Sequence, residues 1–185
     1  DPDYTPKFIR FRENEQQAIA ETIKALFKKR TATNLFITGP PGIGKTLAIK
    51  HILREIEEKG LDEHVYPLYI NCWKKDTAHK IILEVCSQLN YRFTINKTTD
   101  QLIKEISRII NEKSAIIVLD EIDKLEAAAL SLVYSLLEDI YRKSIILITN
   151  DEEFLARIDR RIYSRLTPET IEFRAYTLEE TGEIL

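Results

Sequence analysis

Methionine is missing from all 185 residues, position 1 included, so the chain is expected to be an internal piece of a longer protein. Cysteine is nearly missing too. Cys72 and Cys86 are the only two; they lack metal-ligand spacing, and in a reducing cytosol they are expected to be free thiols packed as small apolar residues. No apolar run approaches the roughly 18 residues that a membrane-spanning helix needs, and no secretory leader is recognisable. A cytoplasmic protein with no membrane partner is expected. A basic excess is also lacking: 27 Lys and Arg face 30 Asp and Glu, for a net charge of −3. That excludes a chain-wide electrostatic footprint for nucleic acid, so any DNA contact has to be local or lie in residues beyond these. What is present, 44% hydrophobic and 31% charged residues, suits a soluble domain with one full core.

Glycine is sparse, five in all, yet three of the five stand in Gly39-Pro40-Pro41-Gly42-Ile43-Gly44-Lys45-Thr46. This run fits the phosphate-binding pattern GxxxxGK[ST]. The apolar run Leu35-Phe36-Ile37 precedes it as a strand, and helical periodicity follows it. Glycine lets the backbone turn its amide N–H groups inward towards phosphate oxygens, and the following helix points its positive end at the same place. Lys45 is expected on the β- and γ-phosphates and the Thr46 hydroxyl on Mg²⁺. Gly39 through Leu47 (Pro40, Pro41, Gly42, Ile43 and Gly44 included) are expected to line ATP or ADP. An ordinary Gly/Pro turn would need neither Lys45 nor Thr46.

Along the chain, residues 1–12 form an irregular arm and helical periodicity runs over 14–29, with Ile19, Ile23, Leu26 and Phe27 on one face. Strands are expected at 34–38, 65–71, 115–119, 145–148 and 171–173, with Pro67 marking 65–71 as an edge. Between them fall helices at 45–59, closed by Gly60, and at 77–89, 100–112 and 125–139, with short helical pieces at 154–158 and 161–166. Thr177 and Glu180 are spaced as a capping box at the start of a last helix over 177–185. Strands alternating with helices imply a parallel, doubly wound α/β sheet.

The run Ile116-Ile117-Val118-Leu119-Asp120-Glu121-Ile122-Asp123 is a buried strand that ends in carboxylates. In open parallel sheets, ligands bind beyond the carboxyl ends of the strands. Asp120 is thus expected beside the phosphate loop, holding Mg²⁺, with Glu121 activating the attacking water. An acidic helix start would be the alternative. The next buried strand ends at Thr149-Asn150-Asp151, where Asn150 is expected to sense the γ-phosphate; the alternative is an Asn that begins a turn.

These three strand ends together resemble the AAA+ ATPases, and the arm narrows the resemblance. The segment from Asp3 to Glu15 contains Tyr4, Pro6, Ile9, Arg12, Glu13 and Glu15 in the spacing Y-x-P-x-x-hydrophobic-x-x-R-E-x-E. It resembles the entry of origin-recognition-type replication initiators, the archaeal Orc/Cdc-six family. Tyr69-Ile70-Asn71-Cys72, Leu119 to Asp123, and Ile148 to Asp151 followed by Phe154 to Ile162 agree with the same family. The resemblance implies a three-layer P-loop NTPase core with a five-stranded parallel sheet ordered 5-1-4-3-2. It implies an AAA+ nucleotide-binding domain over 1–176 and the start of a helical lid over 177–185. Tyr4, Pro6, Ile9 and Arg12 would border the adenine, with Tyr176 and Ile184 closing its far side.

Two helices between the second and third strands also resemble the initiators, whose additional helix there contacts DNA. The loop Trp73-Lys74-Lys75 and residues 92–97 are candidates to touch a backbone or stack on a base; solvated polar loops are the alternative. One departure stands out. Ile162-Tyr163-Ser164-Arg165-Leu166 carries Ser-Arg where many archaeal initiators have Ser-Ser. Arg165 therefore resembles an arginine finger aimed at a neighbour's ATP, with Arg161 second; the alternative is a surface salt bridge. The function implied is ATP binding and slow hydrolysis in a replication initiator, acting in origin recognition and helicase loading. Its partners would be duplex DNA and neighbouring AAA+ subunits or a replicative helicase. The rivals are a nucleotide-gated DNA-binding scaffold with little turnover, and an AAA+ ATPase of transposition, defence or clamp loading.

Overall fold

The computed structural model describes residues 7–185; Tyr4 and Pro6 lie outside the described residues. Five strands form one sheet: β1 (Leu35–Thr38), β2 (Val65–Asn71), β3 (Ser114–Asp120), β4 (Lys143–Thr149) and β5 (Glu169–Glu172). They run in the order β2-β3-β4-β1-β5, and all four pairings are parallel. Read from the other edge this is 5-1-4-3-2, as expected. Pro67 does sit on an edge strand, where its missing N–H costs no ladder bond.

The sheet is covered on both faces. Residues alternate along each strand, so Ile116, Val118, Ile146, Ile148, Leu35 and Ile37 face one apolar layer, with α1 (Glu13–Phe27) and α2 (Lys45–Glu58). Ala115, Ile117, Leu119, Ile145, Leu147 and Phe36 face the other, with α3 (Ala78–Gln88), α4 (Thr99–Ile110) and α5 (Leu130–Asp139). All seven residues of β3 are buried, which is why that strand reads as an unbroken apolar run. Each fully buried Ile or Leu stabilises the fold by roughly 1.5–3 kcal/mol of apolar transfer. Two short helices, α6 (Phe154–Arg157) and α7 (Arg160–Leu166), add Phe154, Ile162 and Leu166 to the second layer.

Helix ends follow local chemistry. Thr98 and Gln101 form a reciprocal capping box before α4. Thr177 and Glu180 form the one expected before α8 (Leu178–Ile184). Gly60 takes the left-handed conformation (φ +71°) after α2. Two elements depart from expectation. The helix expected from Leu125 starts at Leu130, because two short 3-10 turns, Ile122–Lys124 and Ala127–Ala129, come first. The Glu126 N–H is drawn to the Asp76 carbonyl at 3.2 Å instead of beginning a helix. The last strand is Glu169–Glu172 rather than 171–173. At an edge, backbone pairing with Leu35–Thr38 sets its extent, and its polar side chains face water.

Candidate functional site

β1, β3 and β4 lie side by side, so the segments after Thr38, Asp120 and Thr149 emerge at the same sheet edge. The phosphate loop leaves β1 through Gly39 at φ +147°, where a Cβ would stand 2.3 Å from the Phe173 carbonyl oxygen. Only glycine fits there. Gly44, at φ +92°, opens α2 from the left-handed region, and a Cβ on it would meet the Tyr176 hydroxyl at 3.3 Å.

Lys45 is 6% exposed. Its ammonium donates to the carbonyls of Gly39 at 2.7 Å and Pro40 at 2.6 Å. Burial lowers its pKa; Asp120 opposes that shift and Arg12 adds to it. Asp120 is 2% exposed. Its Oδ2 accepts from the Thr46 hydroxyl and from the Tyr69 hydroxyl, each at 2.6 Å, and its Oδ1 accepts from the Glu121 N–H at 2.8 Å. Burial, reinforced by the bond to Asp120, pushes the Tyr69 phenol far above its ordinary pKa.

Glu121 adopts φ +54°, ψ +44°, a left-handed conformation that costs a non-glycine residue energy and concentrates at functional sites. The turn after it is tied to β4: the Thr149 hydroxyl donates to Asp123 Oδ1 at 2.7 Å and accepts from the Asp151 N–H at 3.0 Å. Asn150 is thereby held at the rim of a cleft of about 170 Å³ that Pro41, Gly42, Lys45, Thr46, Asp120, Glu121, Ile148 and Thr149 also line. The residues expected to do the phosphate chemistry thus share one cleft.

Thr46 and Asp120 offer hard oxygen donors at the loop, which suits Mg²⁺, an ion that takes one or two protein ligands and completes its shell with phosphates and water. Among the described residues, no group of three or more His, Cys, Asp or Glu could hold a metal.

Of the residues expected to border the adenine, Ile9, Arg12, Tyr176 and Ile184 fall within the described residues, and their surroundings differ. Arg12 is fully buried. Its guanidinium donates to the Ile43 carbonyl at 3.0 Å, the Arg174 carbonyl at 2.8 Å and Glu15 at 3.1 Å, and lies 4.1 Å from the Tyr176 ring centroid. It therefore clasps arm, phosphate loop and C-terminal segment together. Ile9 and Tyr176 pack against the adjoining apolar layer, whereas Ile184 stands exposed on α8, outside that layer. An ion pair between Arg10 and Glu183 ties the arm to α8.

Arg165 does not line the cleft. Its Nε pairs with Glu138 of α5 at 3.0 Å, with 58% of the side chain exposed. Arg161 pairs with Asp159 at 3.2 Å. Both pairs correspond to the salt-bridge alternative within a single chain, and such exposed pairs contribute little stability.

Away from the cleft, the turn between α3 and α4 holds Phe93 75% exposed and Ile95 83% exposed. The Tyr91 and Phe93 rings meet edge-on at 5.8 Å, and Lys97 donates to the Tyr91 hydroxyl at 2.5 Å. Arg92 and Arg108 line the same hollow. Trp73 is also exposed, with the Lys124 ammonium 5.2 Å from its ring centroid. Cys72 and Cys86 are buried free thiols, and burial pushes the Cys72 thiol up to about 12.

Sequence reasoning missed two contacts, Tyr69 to Asp120 and Asp123 to Thr149. For Tyr69 a signal existed: alternation along β2 puts it on the face of Asn71, near the strand end, where a phenol has polar company.

The family pattern described as AAA domain matches residues 28–158. The ORC1-type DNA replication protein 1 of Sulfurisphaera tokodaii is 33% identical over the whole chain and 48% of its own length. That of Archaeoglobus fulgidus is 30% identical over 98% of the chain and 47% of its own length. The Aeropyrum pernix ORC1 protein, solved in complex with DNA, superposes with a TM-score of 0.84 at 26% identity, covering all of this chain and 50% of that one. The chain therefore spans about half the length of the curated relatives it matches.

Proposed function

From the premise that this chain belongs to the AAA domain family, we propose that it is the ATP-binding and ATP-hydrolysing module of a DNA replication initiator. The observation that carries this reading is the 2.6 Å bond from Thr46 to Asp120, in a cleft shared with Lys45, Glu121 and Asn150. Lys45 and the loop amides take the β- and γ-phosphates of ATP and stabilise charge developing on them. Mg²⁺, held by Thr46 and Asp120, would neutralise charge on the phosphate oxygens. Glu121 orients a water and accepts its proton, while Asn150 hydrogen-bonds to the γ-phosphate. Residues 1–176 make up the nucleotide-binding domain and 177–185 begin a lid.

DNA binding belongs to the longer protein, and the exposed Phe93, Ile95 and Arg92 supply its contact here, with Trp73 beside Lys124 as a second point. The relative solved in complex with DNA supports DNA as a partner; the exposure of Phe93 and Ile95 supports the choice of surface. A second reading, a nucleotide-gated scaffold with little turnover, is favoured by the engagement of Arg165 with Glu138.

Glu121→Gln tests the choice. The amide keeps size and hydrogen bonding but is no base, so ATP binding is expected to persist while single-turnover hydrolysis falls by about 10²-fold or more. Wild-type protein that binds ATP without hydrolysing it supports the scaffold; a variant as fast as wild type moves the base elsewhere.

A further inference from the structure

Tyr69 is fixed at three places by three different elements. Its backbone N–H donates to Gln88 Oε1 at 3.1 Å, and its carbonyl accepts from Gln88 Nε2 at 2.7 Å. β2 is an edge strand, and this amide from α3 occupies the two groups that a neighbouring strand would otherwise take. The ring lies beneath the Lys50 ammonium of α2, 4.6 Å from its centroid. The hydroxyl ends on Asp120 Oδ2 at 2.6 Å.

A carboxylate oxygen offers about two lone-pair sites. On Oδ2 of Asp120 the Thr46 and Tyr69 hydroxyls take both, and the Glu121 N–H holds Oδ1. Of these three donors, Thr46 belongs to the nucleotide loop and Glu121 adjoins Asp120 in the chain. Tyr69 alone reaches Asp120 from outside the nucleotide motifs. Without it, the plane of the carboxylate would be set by the two groups that are expected to engage nucleotide and water.

We infer that Tyr69 is a positioning residue: its hydroxyl orients the Asp120 carboxylate for Mg²⁺ and thereby sets how strongly Mg²⁺ tightens nucleotide binding. The inference rests on the proposed reading of Asp120 as the magnesium carboxylate. Partners that orient a ligating group typically affect metal affinity by about 10–100-fold.

The test is calorimetric titration of a non-hydrolysable ATP analogue, first with a chelator and then over a Mg²⁺ series, for wild type, Tyr69→Phe and Asp120→Ala. Phenylalanine keeps the ring under Lys50 and removes only the hydroxyl. Tyr69→Phe is expected to bind the analogue as wild type does in chelator, and to need about 10-fold more Mg²⁺ for the same gain in affinity. A wild-type Mg²⁺ response in Tyr69→Phe overturns the inference. So does an equal loss of affinity with and without Mg²⁺, which would mark Tyr69 as scaffold. Asp120→Ala separates the two assignments. If it abolishes the Mg²⁺ response while Tyr69→Phe leaves it intact, only the role of Tyr69 falls. If Asp120→Ala keeps the response, the reading of Asp120 falls and the role of Tyr69 with it.

Discussion

The cleft at the ends of β1, β3 and β4 and the turn between α3 and α4 solve opposite problems. In the cleft, Asp120 is 2% exposed and accepts three hydrogen bonds, and Lys45 is 6% exposed between two carbonyls. At the turn, Phe93 and Ile95 are 75% and 83% exposed, where apolar surface gains nothing by being displayed. A small, highly charged ligand demands groups aligned before it arrives, because each misplaced donor in a dry site costs full desolvation. A large partner brings its own surface and can bury apolar and stacking groups that had stayed exposed. The first region is organised against its own interior; the second leaves its apolar groups in water, as the proposed DNA contact would require.

Lys45→Ala probes the organised side hardest. Nucleotide affinity is expected to fall by at least about 100-fold, since a charge-assisted phosphate contact and the loop geometry it supports both go. The fold should survive, because Lys45 belongs to neither apolar layer. Titration calorimetry and thermal melting read the two arms, and unchanged affinity would remove Lys45 from its role.

Phe93→Ala is the matching probe of the other side. In the longer protein, duplex affinity is expected to fall by about 5- to 100-fold, on the scale of one aromatic contact with a base, with Phe93 acting at the duplex as a wedge between base steps. Stability should shift by no more than about 0.5 kcal/mol, as for other exposed positions. Fluorescence anisotropy against a melting curve checks this, and a variant that loses nucleotide affinity as well would erase the contrast between the regions.

Arg165→Ala carries the smallest expected effect and tests a surface that belongs to neither region. ATP binding by the monomer should be unchanged, and hydrolysis should drop only several-fold and only where subunits assemble. That lies far below the about 10³–10⁵ of well-studied arginine fingers. Mixing Arg165→Ala with Glu121→Gln subunits of the longer protein should raise turnover per Arg165→Ala subunit above that of Arg165→Ala alone. A mixture no faster than Arg165→Ala alone, while wild type depends on concentration, leaves the pair with Glu138 as the whole role of Arg165.

The contrast also separates what the sequence makes legible from what it hides. The sheet could be read because a strand buried on both faces has to be apolar throughout, as Ser114–Asp120 nearly is, and because the glycines of the loop answer a backbone demand that no other residue meets. The cleft could be read for the same reason: Lys45, Thr46, Asp120, Glu121 and Asn150 are tied to strand ends, and parallel pairing brings those ends together. Periodicity can put a side chain on a face, as it does Tyr69, but it does not say which group that side chain meets across elements. Tyr69 reaching Asp120, Asp123 receiving Thr149, and Arg12 turning into the Ile43 carbonyl all depend on register and rotamer. The 3-10 turns before α5 were hidden because Leu125 to Asp139 has good helical composition, and a tertiary bond from Glu126 to Asp76 overrides it.

The rim of the sheet at β2 governs how copies of this chain can meet. Ser114 donates to the His64 carbonyl and Cys72 to that of Asp120, so Val65, Pro67, Tyr69 and Asn71 turn their backbone outward. Pro67 has no N–H to offer, Gln88 fills both groups of Tyr69, and the Asn71 carbonyl already accepts from Lys75. The opposite rim, β5, is four residues long and carries Glu169 and Glu172. Neither rim presents the continuous ladder that would let a second sheet grow onto the first. Such a chain can crowd against its own copies without polymerising through its backbone. A row or ring of them has to be built from helix and loop surfaces, where side chains determine which neighbour fits.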